Sequence, residues 1–395
     1  MSTVAVEDMT SAIDSAIDRA LAEARIVGAV VLVAQDGEIV YRCAAGLADR
    51  ERGTPMREHA VFRLASLTKP IVTAAALRMV ELGTIALADP VTRYLPEFRP
   101  ALPDGTAPTI TLRHLLTHTA GLSYGFMQPP DGSYHRAGVS DGAGEPGVSM
   151  DENLARIARA GLAYPPGERW GYSVAIDVLG AVMQVVEGAD LDAVVRKYVT
   201  APLGLDSMGF DLKPEQRDLL VTPYADGKPA PVPIPDSGMR VRFPEGVPVY
   251  AGLAGINLAP ARVFDKTSFR SGGGGMVGNA PDMLTFIEAI RSGGGPIVSG
   301  ETANAIMSVQ TGDFLIVNRG PGWAFGYGGS ILTDPKAALT PQSPGTFGWG
   351  GVWGHSWFTD RARRLSVVSL TNTALEGMMG RYIRDVRDAI YADLG

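Results

Sequence analysis

The sequence predicts an α+β or α/β fold in which strands from both ends of the chain form one sheet. Strand-like patterns lie near the N-terminus and recur toward the C-terminus, while the residues between them carry mostly helical patterns. Helical patterns also begin and end the chain, so we expect these two helices to flank the sheet. We therefore predict an α/β lobe formed by residues 1–85 and 267–395, a helical and irregular lobe inserted at 86–266, and an active site in the cleft between them.

Three elements are predicted in the first part of the chain. Residues 7–26 place Ile13 and Ile17 on one apolar face, as in an amphipathic helix. A hairpin follows, and its strands are joined by the Asp36-Gly37 step, which suits a two-residue turn. The hairpin strands are expected at Gly28–Ala34 and Glu38–Ala45, and the next helix at Leu67–Leu82. This helix has few charged residues and is therefore predicted to be buried.

The rest of the chain is predicted to change from helices to strands. Four segments after Gly83 are typical of helices: Leu87–Pro90, Thr111–Leu116, Asn153–Ala160 and Val174–Val186. Residues 205–275 are rich in Pro and Gly and predict irregular structure with short strands, such as Met239–Phe243. A helix, three strands and a closing helix are then expected at Pro281–Arg291, Trp323–Leu332, Gly351–Thr359, Leu365–Leu370 and Met378–Ala392.

Composition narrows the classes of function. The 395 residues are 46% hydrophobic and carry a net charge of −7, with no run of Lys or Arg, which argues against nucleic acid or a membrane as a partner. Cys43 is the single cysteine, so neither an intrachain disulfide nor a cysteine cluster for a metal is expected. No secretory signal and no membrane span are recognisable, so we predict a cytoplasmic protein without metal or cofactor.

The pentapeptide Ser66-Leu67-Thr68-Lys69-Pro70 carries the strongest chemical signal. Residues three apart share a helix face, so Ser66 Oγ and the Lys69 amine can meet, and Pro70 places Ser66 at the N-terminal end of the helix. Free N–H groups at that end favour a developing negative charge. Only six of the 35 Lys and Arg residues are lysines, so a lysine at position 69 suggests a chemical requirement. A buried amine can give up its proton, whereas a guanidinium cannot. An ordinary helix cap at Ser66 with a surface Lys69 is the alternative interpretation.

Two further segments extend this site. Tyr172 lies in a turn-rich stretch before a helix, and a phenol becomes a competent base beside a cation, which Lys69 would supply. Residues 347–357 combine Trp349, Trp353 and Trp357 with glycines in a strand context, where glycine marks close approach of backbone or ligand. Taken singly, each segment is also compatible with a half-buried aromatic residue or a glycine-kinked edge strand.

Three ordered motifs together resemble those of the family VIII carboxylesterases, which are similar to class C β-lactamases and penicillin-binding proteins. They are Ser66-Leu67-Thr68-Lys69, Tyr172-Ser173-Val174 and Trp349-Gly350-Gly351. The resemblance implies a serine β-lactamase-like fold with an antiparallel sheet. It also implies that Ser66 attacks the ester, that Lys69 and Tyr172 act as the acid/base pair, and that the backbone N–H groups of Ser66 and Val352 form the oxyanion hole.

The departures from the lactamase pattern bear on the substrate. Val174 stands where lactamases have an asparagine, and Trp349-Gly350-Gly351 stands where they have Lys-Thr-Gly. Without that amide and ammonium, recognition of an anionic β-lactam should be weak. We expect Trp349, Gly350, Gly351, Val174 and His355 to contact a small neutral ester instead.

Several rival features are predicted to be structural. Ser140 lies in a G-x-S-x-G match at Gly138–Gly142, but the segment lacks the strand and helix that a nucleophile elbow joins. The glycines of Gly273–Gly278 fit a dinucleotide motif, but no buried strand precedes them. Asn279 and Asp282 are instead expected to cap the helix after Pro281. His118 and His355 are expected to be hydrogen-bonded structural histidines, with His355 bordering the pocket, and a general base in a Ser-His-Asp arrangement is the alternative for either.

The predicted function is hydrolysis of short-chain neutral carboxylic esters through a Ser66 acyl-enzyme, with a small-molecule ester as the partner. Two alternatives remain open: an acyltransferase that uses the same acyl-enzyme, and a non-catalytic sensor domain related to penicillin-binding proteins. The sequence makes no prediction about oligomeric state.

Overall fold

A computed structural model describes residues 3–144, 146–244 and 248–392. Strands and helices are numbered in chain order. The strands are β1 (Gly28–Gln35), β2 (Glu38–Asp49), β3 (Thr54–Pro55), β4 (Phe62–Arg63), β5 (Tyr224–Ala225), β6 (Val232–Pro233), β7 (Met239–Val241), β8 (Ile256–Leu258), β9 (Val277–Gly278), β10 (Trp323–Phe325), β11 (Ser330–Leu332), β12 (Phe347–Gly351), β13 (His355–Asp360) and β14 (Leu365–Thr371).

The α-helices are α1 (Thr3–Ala22), α2 (Thr68–Glu81), α3 (Leu112–Leu116), α4 (Ser133–Ala137), α5 (Met150–Ala160), α6 (Ala175–Glu187), α7 (Leu191–Val195), α8 (Ala201–Leu203), α9 (Ala280–Arg291), α10 (Gly300–Ile306), α11 (Ala374–Met379) and α12 (Arg381–Tyr391). A short π-helical stretch, Arg196–Thr200, joins α7 to α8. None of the described helices has both the length and the apolar character needed to cross a membrane.

One eight-stranded antiparallel sheet combines both ends of the chain, as predicted. Its strand order is β10-β11-β12-β13-β14-β1-β2-β3. β1 lies between β2 and β14, with Ala29 opposite Thr371 and Leu32 opposite Val368. The Asp36-Gly37 step joins β1 to β2 with positive φ at both residues, which confirms the predicted hairpin turn.

The two faces of the sheet bury different helices. Side chains alternate along a strand, so Val31 and Val33 of β1 pack with α1 and α12, whereas Val30 and Leu32 face the larger core on the other side. That larger core contains α2, whose residues Thr68 to Leu77 are all buried. The predicted flanking terminal helices and the buried helix that follows Ser66 are therefore confirmed.

The middle of the chain is helical and irregular in the way the sequence predicts. The predicted helices at 111–116, 153–160 and 174–186 correspond to α3, α5 and α6, and residues 205–275 contain only short strands and turns. The segment Leu87–Pro90 is not a helix, because the Asp89 carboxylate accepts from the Ala86 N–H in a turn and Pro90 is extended. The proposed domain boundaries at residues 85 and 267 stay a prediction.

Three of the C-terminal elements differ from the expected ones. The run Trp323–Leu332 is a hairpin of β10 and β11 that turns through residues 326–329, where Gly328 has a positive φ. Gly351–Thr359 likewise contains a turn, because Gly354 has a φ of 111° between β12 and β13. The closing helix is divided into α11 and α12 at Gly380, where the backbone is extended.

Candidate active site

Ser66 lies in a short 3-10 turn, Ala65–Leu67, that leads directly into α2. Ala65 has a φ of 48°, a conformation that is uncommon for a residue with a side chain and that often accompanies functional sites. Pro70 is the third residue of α2, where proline is tolerated. The predicted position of Ser66 at the N-terminal end of a buried helix is confirmed.

Two side chains converge on the Ser66 hydroxyl. Lys69 Nζ donates to Ser66 Oγ over 3.1 Å from one turn along α2. Tyr172 OH donates to the same oxygen over 2.7 Å from the loop before α6. The three side chains that the sequence singled out therefore meet at one atom.

Lys69 is buried and held on several sides. It is 1% exposed, and its ammonium donates to the Gly273 carbonyl over 2.6 Å. The aromatic rings of Tyr172 and Tyr124 lie 4.6 and 5.3 Å from Nζ, within the range of cation–π attraction. The interpretation of Lys69 as a solvent-exposed surface residue is wrong.

Tyr172 is fixed by aromatic neighbours and one further hydrogen bond. Trp349 Nε1 donates to its phenol oxygen over 3.2 Å, and Trp170 stacks against its ring at 6.1 Å. The His118 ring lies 5.0 Å away. Burial, with the Lys69 charge as a second cause, holds the pKa of His118 well below its usual range, and His118 Nδ1 pairs with Ser173 Oγ over 3.3 Å. His118 therefore packs behind the tyrosine as a neutral structural residue.

Strand β12 closes one side of the site. Its partner β11 pairs only with Phe347 and Gly348, so the next residues present an open strand edge. A Cβ atom at Gly351 would lie 2.8 Å from the Leu64 carbonyl oxygen, so only glycine lets this strand approach the Ser66 turn so closely. Val352 follows directly and lines the cleft together with Ser66.

The cleft above Ser66 has a volume of about 860 Å³, part of which is open to solvent. Its walls include Tyr124, Phe126, Phe243, Tyr250, Trp349, Gly350, Val352, Arg319 and Asn318. Trp349 and Gly350 are thus on the surface of the cleft, whereas Gly351, Val174 and His355 are buried outside it.

His355 is placed for support and not for contact with a ligand. Its Nε2 donates to the Arg63 carbonyl over 2.9 Å, and its ring meets Phe62 edge to face. Burial lowers the pKa of His355 to about 4, so the imidazole is neutral. The expectation that His355 borders the pocket is corrected, since β13 directs it under the Ser66 turn.

Sequence reasoning missed three polar groups near the site. Asp177 in the first turn of α6 is buried and accepts from Ser271 Oγ over 2.6 Å. Asp141 accepts from the N–H groups of Gly125 and Phe126, and burial raises its pKa to about 7. Arg319 lies over the ring of Trp349 at 5.1 Å. Asp177 is the single charged residue in the apolar run 174–186, which could have drawn attention to it, but its partner Ser271 is 94 residues away in sequence.

The rival motifs have structural roles. Ser140 is in a loop between α4 and α5, where its N–H donates to Asn153 Oδ1 over 2.8 Å. The glycines after Ser271 turn beside Lys69, and Asn279 caps α9 by accepting from the Asp282 N–H, as predicted. Within the described ranges, no three His, Cys, Asp or Glu side chains come together as a metal site would require.

A family model described as Beta-lactamase matches residues 13–391. The chain belongs to the Beta-lactamase family. Among its relatives in that family, esterase EstB of Burkholderia gladioli is 50% identical over 385 residues, which cover 97% of this chain and 95% of that protein.

Solved structures agree with this assignment. EstCE1, described as a hydrolase with promiscuous acyltransferase activity, shares 45% identity and a TM-score of 0.93, with coverage of 98% of this chain and 100% of that one. Unliganded simvastatin synthase from Aspergillus terreus, at 20% identity and a TM-score of 0.75 over 98% of this chain and 100% of that one, shows the shared fold. The predicted relation to Beta-lactamase family esterases and the serine β-lactamase-like fold are confirmed.

Proposed function

We propose that this protein is a serine hydrolase that cleaves carboxylic esters through an acyl-enzyme on Ser66. The observation that carries the proposal is the convergence of Tyr172 OH and Lys69 Nζ on Ser66 Oγ, at 2.7 and 3.1 Å. A nucleophilic hydroxyl needs a base within this distance, and here two candidates reach it at once.

In the acylation step, Ser66 Oγ attacks the ester carbonyl carbon while its proton passes to the Lys69–Tyr172 pair. When the tetrahedral intermediate collapses, Tyr172 returns the proton to the departing alcohol oxygen. Lys69 is placed to share this proton, since its Nζ lies 3.1 Å from Ser66 Oγ, the same atom that the Tyr172 phenol contacts. Water then attacks the acyl-enzyme and releases the carboxylic acid.

The oxyanion hole in this proposal consists of the backbone N–H groups of Ser66 and Val352. The first lies at the N-terminal end of α2, where backbone N–H groups lack helical partners. The second lies just beyond Gly351, whose lack of a side chain brings β12 against the Ser66 turn. Two such donors would stabilise the charge that develops on the carbonyl oxygen.

We further propose that the acyl group is short and neutral. Stacked aromatic pairs, Tyr124 with Phe126 and Phe243 with Tyr250, form much of the cleft wall. The test compares kcat/KM for the neutral ester 4-nitrophenyl butyrate with kcat/KM for its anionic counterpart, 4-nitrophenyl hemisuccinate. A higher kcat/KM for the neutral ester is expected, and a preference for the anionic one, through Arg319 at the cleft wall, would contradict this part.

Acyl transfer to an alcohol is the second candidate function, because EstCE1 is described as a hydrolase with promiscuous acyltransferase activity. The same acyl-enzyme serves both reactions, and only the attacking group differs. The two reactions are separated by adding increasing amounts of an alcohol at a fixed concentration of the ester substrate. The measurement is the ratio of the new ester to the free acid. The cytoplasmic location and the lack of nucleic-acid and membrane partners stay predictions from the sequence.

Labelling with a fluorophosphonate, followed by peptide mapping, tests the nucleophile. We expect the adduct on Ser66, and we expect Ser66→Ala to lose both labelling and ester hydrolysis while Ser140→Ala keeps them. An adduct on Ser140, or full activity in Ser66→Ala, would end the proposal. A stoichiometric burst of 4-nitrophenol is expected as well, and its absence together with no turnover would favour the non-catalytic alternative.

A further inference from the structure

Asp177 is a buried carboxylate behind the site with no role in the mechanism above. It is 1% exposed and lies in the first turn of α6, where the helix dipole favours a negative charge. Its Oδ1 accepts from Ser271 Oγ over 2.6 Å and from the Gly273 N–H over 3.1 Å. Among the described residues, none forms a hydrogen bond with its Oδ2, which is costly for a buried carboxylate.

Gly273 connects this carboxylate to the Lys69 ammonium. The N–H of Gly273 is held by Asp177, and its carbonyl accepts from Lys69 Nζ over 2.6 Å. A Cβ atom at Gly273 would lie 2.7 Å from Asp177 Oδ2 and from Tyr124 OH, so the segment fits tightly between them. The position of the Gly273 carbonyl therefore depends directly on the carboxylate.

The charges around Asp177 support an electrostatic link as well. Burial raises the pKa of Asp177, while Ser271, Lys69 and the Gly273 N–H oppose that rise. Charged or titratable groups that act on it, or that it acts on, are Lys69 on α2, Arg262 in the turn Pro260–Phe264, Tyr124 and Asp141. The Lys69 charge thus favours the ionised form of Asp177, and Gly273 lies between the two groups.

We propose that Asp177 is a positioning residue for Lys69, because it fixes the Gly273 carbonyl that holds the amine against Ser66 and supplies the negative charge that balances the ammonium. This inference rests on the proposed role of Lys69 as a proton acceptor. It assigns two separable effects to one side chain: a hydrogen-bonding effect on geometry and a charge effect on protonation.

Two variants separate these effects. Asp177→Ala removes both, and we expect kcat/KM for 4-nitrophenyl butyrate to fall roughly 10- to 100-fold. Asp177→Asn keeps an oxygen acceptor for Ser271 and Gly273, so most of the activity at the optimum should return. Because Asn carries no negative charge beside Lys69, the acid limb of the pH–rate profile should move to lower pH.

Asp360→Asn is the matched control. Asp360 is also fully buried and accepts from a hydroxyl, Tyr391 OH over 2.8 Å, and from a backbone N–H, that of Ser343 over 3.0 Å. It lies at the end of β13, away from Lys69, so its loss should reduce stability in urea without moving the acid limb. A purely structural Asp177 would behave like this control.

An acid limb that stays in place in Asp177→Asn, or wild-type kcat/KM in Asp177→Ala, would overturn the inference. If neither variant folds, Ser271→Ala is the deciding variant, because it removes one hydrogen bond to the Asp177 carboxylate but keeps its charge. We expect a lower kcat with an unchanged pH dependence. An unchanged kcat would refute the positioning role. Fluorophosphonate labelling of the wild-type chain distinguishes failure of this inference from failure of the proposed function. If Ser66 is labelled but the acid limb does not move in Asp177→Asn, only the inference is refuted. If Ser66 is not labelled, the proposed function is refuted.

Discussion

Replacing Tyr172 with phenylalanine removes one oxygen atom that makes two hydrogen bonds at the centre of the site. The phenol donates to Ser66 Oγ over 2.7 Å and accepts from Trp349 Nε1 over 3.2 Å. General acid–base groups contribute roughly 10²- to 10⁴-fold to rate, so we expect kcat for 4-nitrophenyl butyrate to fall by a factor in that range. This corresponds to about 3–5 kcal/mol of transition-state stabilisation.

The same change has a smaller effect on stability. It leaves the buried Trp349 N–H without its partner, which should lower the free energy of unfolding by about 1–3 kcal/mol in urea titrations. Tyr382→Phe is the control, because Tyr382 OH pairs with Ser369 Oγ over 3.1 Å beside α1, on the opposite face of the sheet. The control should lose stability and keep kcat. If Tyr172→Phe is folded and retains more than a tenth of the wild-type kcat, the assignment of Tyr172 as an acid/base group is wrong.

Three other changes have expected outcomes that the structure defines. Trp349→Phe keeps a ring but loses the N–H that orients the Tyr172 phenol. We therefore expect kcat to fall about fivefold to tenfold with little change in KM. An unchanged kcat in steady-state assays would show that this hydrogen bond is dispensable. Gly351→Ala places a Cβ atom 2.8 Å from the Leu64 carbonyl oxygen and should lower kcat/KM at least about tenfold by moving β12. Gly300→Ala is the control and should be neutral, because the atom nearest to its added Cβ is 3.8 Å away. Equal activity of the two variants would contradict the close approach of β12 to the Ser66 turn. His355 is neutral in the fold because burial lowers its pKa to about 4 from 6.5, so its contribution to stability is present above pH 6.5 and is lost as the pH falls toward 4. Urea unfolding at pH 7 and pH 5 should therefore show a loss about 2 kcal/mol smaller in His355→Gln than in the wild type, and equal losses would show that the imidazole is not neutral.

Local patterns in the sequence predict the parts of the fold that depend on local physics. The Asp36-Gly37 turn, the buried α2 and the cap at Asn279 each follow from residues within a few positions of one another. The hairpin of β10 and β11 and the break at Gly380 were missed, because apolar residues continue through both and the turn depends on single glycines. Periodicity reports burial along a segment and does not report where the chain reverses.

The site shows the same division between local and distant information. Ser66 and Lys69 are three residues apart, so helical geometry predicts their contact, and the motif around Tyr172 adds the third group. The Gly273 carbonyl and Asp177 join the site only through the tertiary fold. Backbone carbonyls leave no trace in a motif, and a carboxylate that acts through a glycine cannot be recognised before the two segments are seen together.

The position of β1 has a consequence for how the protein is made. This strand pairs on one side with β2, which follows it immediately, and on the other with β14, near the opposite end of the chain. The first hairpin is therefore synthesised long before β14, and the backbone N–H and C=O groups on one edge of β1 stay unpaired for most of translation. Contacts this distant in sequence form slowly, so we expect the chain to depend on chaperones while it is being synthesised.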